Sequence, residues 1–332
     1  DTGKNEILQL LPPPPIREVV TKSLFPEREF KLECGGFSDR PIYSLKCVPG
    51  TSLLVTSGPP DSSLQLWKVS AEDSMGSHKS RAERQSPLPQ PAAHTGGASQ
   101  GHSALKATPG ARLRQMLLTP PEMLLSFLAP SSSEELSGLA FLDCNTLLLC
   151  CANGQLYLGD VRQPEAPLEA VSVPWELGDE RWCMGVRQTA PGSASSSHPI
   201  ACLSNRGHIT LTDVRKPSEH LASAKCSVPS PSPNAEFLCV SWAPALEGCL
   251  AISGFDGAVH VYDTGSWDSS SSPAQPTFVH KGHMFGEEDS NGEPPLLTAH
   301  TWHPQKPRTL LSAASDGTLH IWDWVQPKGT RG

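Results

Sequence analysis

Short runs of apolar residues recur along the chain, and the clearest of them lie near its end. Residues 309–324 contain an apolar run, the pair Asp316-Gly317, and a second run in which Leu319 and Ile321 alternate with polar residues. A period of two is typical of a β-strand with one buried face. Glycine supplies the positive φ of a type I′ turn without a steric cost. The stretch therefore predicts a β-hairpin closed by a type I′ turn at the Asp-Gly pair.

Three further hairpins with the same spacing precede this one. In all four, a turn glycine is followed six residues later by an aspartate that ends the second strand. The turn residues and strand-end aspartates are Asn153, Gly154 and Asp160; Gly207 and Asp213; Asp256, Gly257 and Asp263; and Gly317 and Asp323. A weaker fifth copy covers residues 61–68, where Ser62 replaces the glycine and Lys68 the aspartate. Because chance hairpins would not keep one offset, the pattern indicates a repeat array.

The repeat resembles the WD-repeat β-propeller family over roughly residues 30–325. Trp322-Asp323 ends the last hairpin, and units of about 40–45 residues with longer loops are typical of that family. Trp242 and Trp302 each begin a W-x-P motif that many WD repeats carry before the second hairpin. The resemblance implies an all-β fold, a seven-bladed WD-repeat β-propeller whose first blade is incomplete.

The division of the chain follows from these units and from local composition. We expect residues 1–33 to be the remnant of the first blade and residues 34–70 to form the second. Ser, Gly, Pro and Gln dominate residues 71–110, which predicts a disordered insertion within the propeller. Residues 111–332 hold the remaining blades of the same propeller. Because a propeller closes by joining its ends, we also expect residues before Asp1 to supply strands of the first and last blades.

Charge and cysteine content narrow the classes of function. The 332 residues carry a formal net charge of −8 and a pI of about 5.8. This acidity argues against direct binding of nucleic acid or of an anionic membrane, since both favour a basic surface. No apolar run approaches the ~18 residues that span a bilayer. The ten cysteines are scattered without a C-x-x-C pair, which indicates the reduced thiols of a cytosolic or nuclear protein.

The WD-repeat resemblance also implies a structural network near the end of the chain. Gly282-His283 resembles the Gly-His pair that opens a WD repeat, about 40 residues before its closing aspartate. By this resemblance, a buried network of hydrogen bonds joins four residues, His283, Ser312, Asp316 and Trp322. Its role would be structural, because each buried polar group needs a partner.

Two H-x-x-H pairs are candidate metal ligands, His280 with His283 and His300 with His303. Residues three apart on a strand face opposite sides of it, and no cysteine or acid lies at ligand spacing nearby. We therefore expect these histidines to serve the core and loops, and we expect no metal and no cofactor.

Two D-x-R motifs follow predicted strands, with Arg162 after Asp160 and Arg215 after Asp213. They resemble the W-D-x-R motif of WD-repeat receptors in cullin-4 ubiquitin ligases, although both lack the aromatic residue before the aspartate. The resemblance implies that the arginines contact a ligase adaptor. The alternative is an exposed arginine that pairs with its own aspartate.

The sequence favours a binding protein over an enzyme. It contains no phosphate-binding loop, dinucleotide fingerprint or paired-acid motif. A G-x-S-x-G match at residues 97–101 lacks the flanking strand and helix that a nucleophile elbow needs. The acidic run with Glu287, Glu288 and Asp289 is a candidate contact for a basic partner, and a solvated loop is the alternative.

Several stretches are similar to one member of the WD-repeat family beyond the generic repeat residues, among them residues 24–28, 35–40, 251–257 and 301–304. This resemblance implies a cytoplasmic, monomeric scaffold that helps to assemble the RNA-cleavage module of the Integrator complex. It also implies a link to tubulin or microtubules at spindle poles and the cleavage furrow, with the nucleus as a second location. The alternative function is a substrate receptor of a cullin-4 ubiquitin ligase.

Overall fold

The described part of the chain is built from β-strands. The computed structural model describes residues 5–11, 30–58, 61–68, 114–115, 135–163, 168–176, 179–187, 198–233, 235–285 and 295–325. Within these ranges the chain forms strands and two single-turn 3-10 segments, Ala235–Phe237 and Gly282–Phe285, with no α-helix. None of the helical turns in these ranges is long and apolar enough to cross a membrane.

The strands are numbered in chain order. They are β1 (Asn5–Leu11), β2 (Lys31–Ser38), β3 (Ser44–Cys47), β4 (Leu53–Gly58), β5 (Asp61–Lys68), β6 (Arg114–Gln115), β7 (Leu136–Phe141), β8 (Thr146–Cys151), β9 (Leu156–Asp160), β10 (Glu169–Val171), β11 (Trp182–Val186), β12 (Pro199–Ser204), β13 (His208–Asp213), β14 (Ala222–Cys226), β15 (Cys239–Trp242), β16 (Cys249–Ser253), β17 (Val259–Asp263), β18 (Pro273–Ala274), β19 (Phe278–His280), β20 (Leu297–Trp302), β21 (Thr309–Ala314) and β22 (Leu319–Asp323).

Five sheets stand side by side in chain order. Their first strands β3, β7, β11, β15 and β20 pack each against the next. Within each sheet, every strand pairs antiparallel with the next strand of that sheet in the chain. The five sheets are formed by β3–β5, β7–β10, β11–β14, β15–β17 with β19, and β20–β22. The predicted all-β class and the propeller architecture are thus confirmed, with five blades in the described ranges. The count of seven blades stays a prediction.

A sixth sheet joins β1, β2 and β6. Strand β1 pairs antiparallel with β2, and β2 pairs in parallel with β6. Strand β2 runs across the boundary predicted between residues 33 and 34, so the segments on either side share one strand. Ile7 of β1 packs near Trp67 of β5, which attaches this sheet to the first of the five blades. The predicted insertion at residues 71–110 lies outside the described residues.

The hydrophobic core lies between the blades. In β8, Leu147 and Leu149 pack with the blade before, whereas Leu148 and Cys150 pack with the blade after. In β12 and β16, alternate side chains likewise pack into the apolar cluster shared with the preceding blade and into the cluster shared with the following blade. Since successive side chains of a strand point to opposite faces, a middle strand between two other blades is apolar at nearly every position. This explains the unbroken apolar runs, such as residues 147–151, in the sequence.

The hairpin turns differ in type from the prediction. Gly154, Gly207, Gly257 and Gly317 have φ between 68° and 92°, but no residue before them has a positive φ, which a type I′ turn requires. The amide of Gly317 instead donates to the carbonyl of Ala314. The amides of Gly154 and Gly207 donate in the same way to the carbonyl three residues earlier. These three turns are therefore type I turns followed by a left-handed glycine, the three-residue hairpin loop, and the type I′ turn expected at Asp316-Gly317 is wrong. The offset of six does not depend on the turn type, because it is the distance along the sequence from each turn glycine to the last residue of the strand that follows it.

Two tryptophans link the first strands of neighbouring blades. The buried Trp242 donates its indole N–H to the carbonyl of Gly185, and the buried Trp302 donates to the carbonyl of Ser241, each at 3.2 Å. At Gly185 the strands approach so closely that a Cβ atom would lie 2.3 Å from the Val240 carbonyl oxygen. These contacts fix the spacing between blades.

We predict that Gly185→Ala lowers the free energy of unfolding by about 1–3 kcal/mol, because the added methyl group overpacks a backbone contact that cannot yield. Urea unfolding followed by tryptophan fluorescence measures the change. Gly265→Ala is the matched control, since a Cβ there meets only the side-chain oxygen of Asp263, at 3.1 Å. Equal stability of the two variants would contradict the tight contact between β11 and β15.

Candidate functional site

The predicted turn residues lie at one end of the blades. The first strand of a blade starts at this end and the second returns to it, so the turn into the third strand lies there too. We call it the turn end. It carries the turns at Gly154, Gly207, Gly257 and Gly317. The opposite end carries the strand-end aspartates, Asp160, Asp213, Asp263 and Asp323.

Most of these polar residues secure the backbone close to them. A side-chain oxygen accepts a hydrogen bond from the amide two residues later, which is the Asx turn. The pairs are Asn153 with Gln155, Asp256 with Ala258, Asp316 with Thr318, Asp160 with Arg162, Asp213 with Arg215, and Asp263 with Gly265. Asp323 instead accepts a hydrogen bond from the hydroxyl of Thr309 on the neighbouring strand. These roles are structural.

The last blade holds a continuous chain of hydrogen bonds at the turn end. Thr318 donates its hydroxyl to Asp316 at 2.7 Å and therefore accepts the N–H of His283 Nδ1, at 2.9 Å. This leaves a lone pair on His283 Nε2, which accepts the hydroxyl of Ser312 at 2.8 Å. Trp322 donates its indole N–H to Ser312 at 3.1 Å. The structure thus brings together the four residues that the family resemblance names, with Thr318 as a link that sequence reasoning missed.

Burial is uneven along this chain. His283 is 1% exposed and Ser312 is fully buried. Asp316 is exposed and Trp322 is only partly buried, so the expected buried network reaches the surface at both ends. The ring of Trp322 stacks on that of His280, with centroids 4.3 Å apart and planes 9° apart. Trp322 therefore connects the network to a second histidine, His280.

Three histidines come together beside this network, which sequence reasoning did not anticipate. His280 ends β19, while His283 lies in the 3-10 segment, so the argument from opposite faces of one strand does not apply to this pair. The third member, His320, comes from β22 and stacks on His283 with centroids 3.8 Å apart. Only one hint of this contact is present in the sequence, which is that His320 comes three residues after the turn glycine Gly317.

Two members of the cluster, His280 and His283, are held neutral. Burial, with the neighbouring His320 and His283, lowers the pKa of His280 to about 4. Burial and His320 also lower the pKa of His283. A histidine whose pKa is lowered keeps a free lone pair at neutral pH. These imidazoles can therefore accept hydrogen bonds or bind an electrophile.

The second H-x-x-H pair is separated. His300 is buried in β20 and spans two serines of the preceding blade, with Nε2 at 2.7 Å from Ser241 and Nδ1 at 2.9 Å from Ser253. His303 lies in the following turn and accepts backbone amides. Burial opposes ionisation of the neighbouring Cys239 thiol, but His300 and then Lys46 lower its pKa to about 7. This gives the partly buried Cys239 thiolate character near neutral pH.

Ion pairs lie at the turn end, and one of them joins neighbouring blades. Arg181, just before β11, forms a bidentate pair with Glu135, just before β7, with N–O distances of 2.6 and 2.7 Å. This arginine holds the pKa of Glu135 below its ordinary value, while burial opposes the shift. Glu180 faces Arg206 at 3.6 Å and His208 at 3.4 Å. The turn end of these two blades is therefore a rim of exposed, paired charges.

The two D-x-R arginines lie at the opposite end and bind their own aspartates. Arg162 lies 2.6 Å from Asp160 and lowers the pKa of that carboxyl to about 2. Arg215 lies 3.2 Å from Asp213. Both guanidinium groups remain more than half exposed. The predicted acidic contacts Glu287, Glu288 and Asp289 lie outside the described residues.

Comparison with known proteins identifies relatives that match nearly the whole chain. No protein-family model matches the chain. The chain is 44% identical over 335 residues to the Homo sapiens protein named Integrator complex assembly factor WDR73, covering 97% of this chain and 86% of that protein. Proteins of the same name from Xenopus laevis and Danio rerio are 39% and 38% identical, again over 97% of this chain and over 86% and 85% of their own length.

We predict that Ser312→Ala lowers the free energy of unfolding by about 1–3 kcal/mol, because it leaves the buried His283 Nε2 and the indole N–H of Trp322 without their shared partner. Thermal and urea unfolding measure the loss. Ser266→Ala, which removes a hydroxyl from an exposed loop, is the control. If both substitutions have the same small effect, Ser312 does not connect the network.

A second prediction concerns Cys239. Alkylation of this thiol by iodoacetamide, resolved by peptide mass spectrometry, should rise with pH with a midpoint near 7. The reason is that the thiolate is the reactive form and that His300 and Lys46 favour it. A short unstructured peptide that contains one cysteine provides the unperturbed thiol in the same samples, with a midpoint of about 8.5. A Cys239 midpoint above that of the free thiol would contradict the interaction with His300.

Proposed function

Because the chain belongs to the WDR73 family of WD-repeat proteins, we propose that it is a non-enzymatic scaffold that assists assembly of the Integrator complex. The observation that carries this proposal is the match of 97% of the chain to relatives named as Integrator complex assembly factors. At 44% identity over nearly the whole chain, the similarity extends well beyond the generic repeat residues. We therefore assign to this chain the general role of its relatives, which is to bind other proteins.

The packing of the blades supports a scaffold. Two buried imidazoles form hydrogen bonds that hold the fold together. His283 is bonded to Ser312 and Thr318, and His300 is bonded to Ser241 and Ser253. Residues that hold blades together in this way preserve the shape of a surface. A closed ring of seven blades, the count that the sequence predicts, would present this surface as a rigid platform.

The finer features of the proposal rest on sequence resemblance. The partners would be subunits of the RNA-cleavage module, bound in the cytoplasm by a monomeric propeller. A link to tubulin or microtubules, at spindle poles and the cleavage furrow, would be a separate activity. A nuclear pool belongs to the same proposal, because the finished complex acts on RNA.

The turn end is the more suitable surface for a protein partner. Its charges are held by ion pairs, one within a blade between Glu180 and Arg206 and one across two blades between Arg181 and Glu135. A partner that docks there meets side chains whose positions are already set, and preorganisation lowers the entropy cost of binding. The rim carries both signs of charge, which favours a partner with a complementary polar surface.

The alternative, a substrate receptor of a cullin-4 ubiquitin ligase, would use Arg162 and Arg215 at the opposite end. An adaptor would have to compete there with Asp160 and Asp213, which hold the guanidinium groups within 2.6 and 3.2 Å. Both arginines are exposed, so the two hypotheses can be separated by experiment.

We predict that the tagged chain recovers Integrator subunits from cell extract, and that Arg206→Glu reduces this recovery several-fold. Arg206 lies at the turn end with its side chain 58% exposed, so reversal changes the rim without opening the core. Quantitative mass spectrometry of the pull-down measures the recovery.

Arg215→Glu is the matched control, because Arg215 is 55% exposed and lies at the opposite end of the same blade. We expect it to leave Integrator recovery unchanged. Loss of a cullin-4 adaptor with Arg215→Glu or Arg162→Glu would favour the ligase alternative. Failure of the unsubstituted chain to recover any Integrator subunit would refute the assembly role.

A further inference from the structure

The buried Nε2 atom of His280 has no hydrogen-bond partner among the described residues. Its ring is fixed by stacking on Trp322, so the nitrogen cannot turn towards solvent without losing that contact. A buried polar atom without a partner is uncommon in proteins and is typical of a site that binds a water or an ion, or that has a functional role. This nitrogen is therefore a candidate ligand atom for a bound ion.

Two nitrogen atoms converge over the backbone of Gly282. A Cβ atom at Gly282 would lie 2.7 Å from Nε2 of His280 and 2.9 Å from Nδ1 of His320. Any side chain at this position would fill the space between the two rings. Glycine keeps that space open, and the two imidazoles come from neighbouring blades, since His280 ends β19 and His320 lies in β22.

His283 completes a group of three. One nitrogen from each of His280, His283 and His320 lies within 4.8 Å of the other two. A tetrahedral Zn²⁺ ion with Zn–N bonds of about 2.0–2.1 Å holds its nitrogen ligands about 3.3 Å apart. The group must therefore contract by roughly 1.5 Å at most. His320 can supply this movement by leaving its stack on His283, because it lies partly exposed on the edge strand β22.

Ser312 can become the outer contact that a metal-binding imidazole at His283 needs. A ligating histidine donates its second ring N–H to a nearby acceptor. If Nδ1 of His283 exchanges Thr318 for the ion, Nε2 carries the proton and donates to Ser312 Oγ, 2.8 Å away. The hydroxyl oxygen of Ser312 has two lone pairs and can accept hydrogen bonds from both Nε2–H of His283 and the indole N–H of Trp322.

The chemistry of the ligands selects the type of ion. All three are imidazoles, which suit Zn²⁺, Cu²⁺, Ni²⁺ and Co²⁺, whereas Mg²⁺ and Ca²⁺ require oxygen ligands. The lowered pKa values of His280 and His283 keep their lone pairs available at neutral pH. Three protein ligands leave the fourth tetrahedral position to water or to a side chain of a bound protein.

We propose that His280, His283 and His320 form a binding site for a divalent transition-metal ion, with Zn²⁺ as the reference ion, that links the last two described blades at the turn end. The geometry rests on the unpartnered nitrogen, on the space above Gly282 and on the outer contact to Ser312. The ion would hold edge strand β22 against the preceding blade.

Zinc binding to the full chain tests the proposal. After removal of metals with a chelator, isothermal titration should show one Zn²⁺ per chain, and Zn²⁺ should raise the melting temperature. His320→Gln should weaken binding about 10-fold or more, since it removes a ligand without disturbing the bond between His283 and Ser312. Thr318→Val should keep or strengthen zinc binding, because Thr318 competes with the ion for His283 Nδ1.

His208→Gln is the matched control. His208 lies at the start of the third strand of another blade, also at the turn end, but belongs to no histidine cluster in the described ranges. Unchanged affinity in this variant together with the loss in His320→Gln supports the site. Equal affinities in the unsubstituted chain, His320→Gln and His208→Gln would overturn it, as would the absence of any zinc-dependent rise in melting temperature. His280→Gln repeats the test from the neighbouring blade if His320→Gln does not fold.

Discussion

Burial of each sheet against its neighbours is the constraint on which this structure depends. A blade has two apolar faces and no core of its own, because β8 and β16 send alternate side chains into different clusters. A blade is therefore stable only between others, as in other repeat arrays. The close contact at Gly185 and the indole bonds of Trp242 and Trp302 follow from this demand, since they set the distance at which the faces meet.

The same constraint explains which elements could be predicted. Middle strands are buried on both sides, so apolar runs such as residues 147–151 and 200–203 stood out in the sequence. Turn glycines stood out because φ near 80° is unfavourable for other residues. The outer strand β14 was not predicted, because its Ala, Ser and Lys residues give little apolar signal. The turn type was predicted wrongly, because an Asp-Gly pair is compatible with a type I′ turn and with a type I turn followed by a left-handed glycine. Residue patterns determine strands well when packing demands are the same in every repeat.

The histidine network could be predicted only in part, because it depends on contacts between distant segments. The family resemblance supplied His283, Ser312, Asp316 and Trp322, which are spaced over 40 residues. It could not supply His320, whose only neighbours in sequence are ordinary strand residues. The first H-x-x-H pair does not lie on one strand, because the chain leaves β19 at His280 and turns through a 3-10 segment before His283.

The two ends of the blades differ in how their polar residues are connected, and this difference bears on function. At the opposite end, Arg162 and Arg215 bind aspartates two residues away in the same blade. At the turn end, the bonds of Arg181 with Glu135 cross from one blade to the next, and those of His283 fasten an inter-blade segment to the last blade. Bonds that cross between blades restrict the motion of one blade relative to another. A protein that guides the assembly of others needs such a fixed surface, because a partner then spends less of its binding free energy on ordering the site.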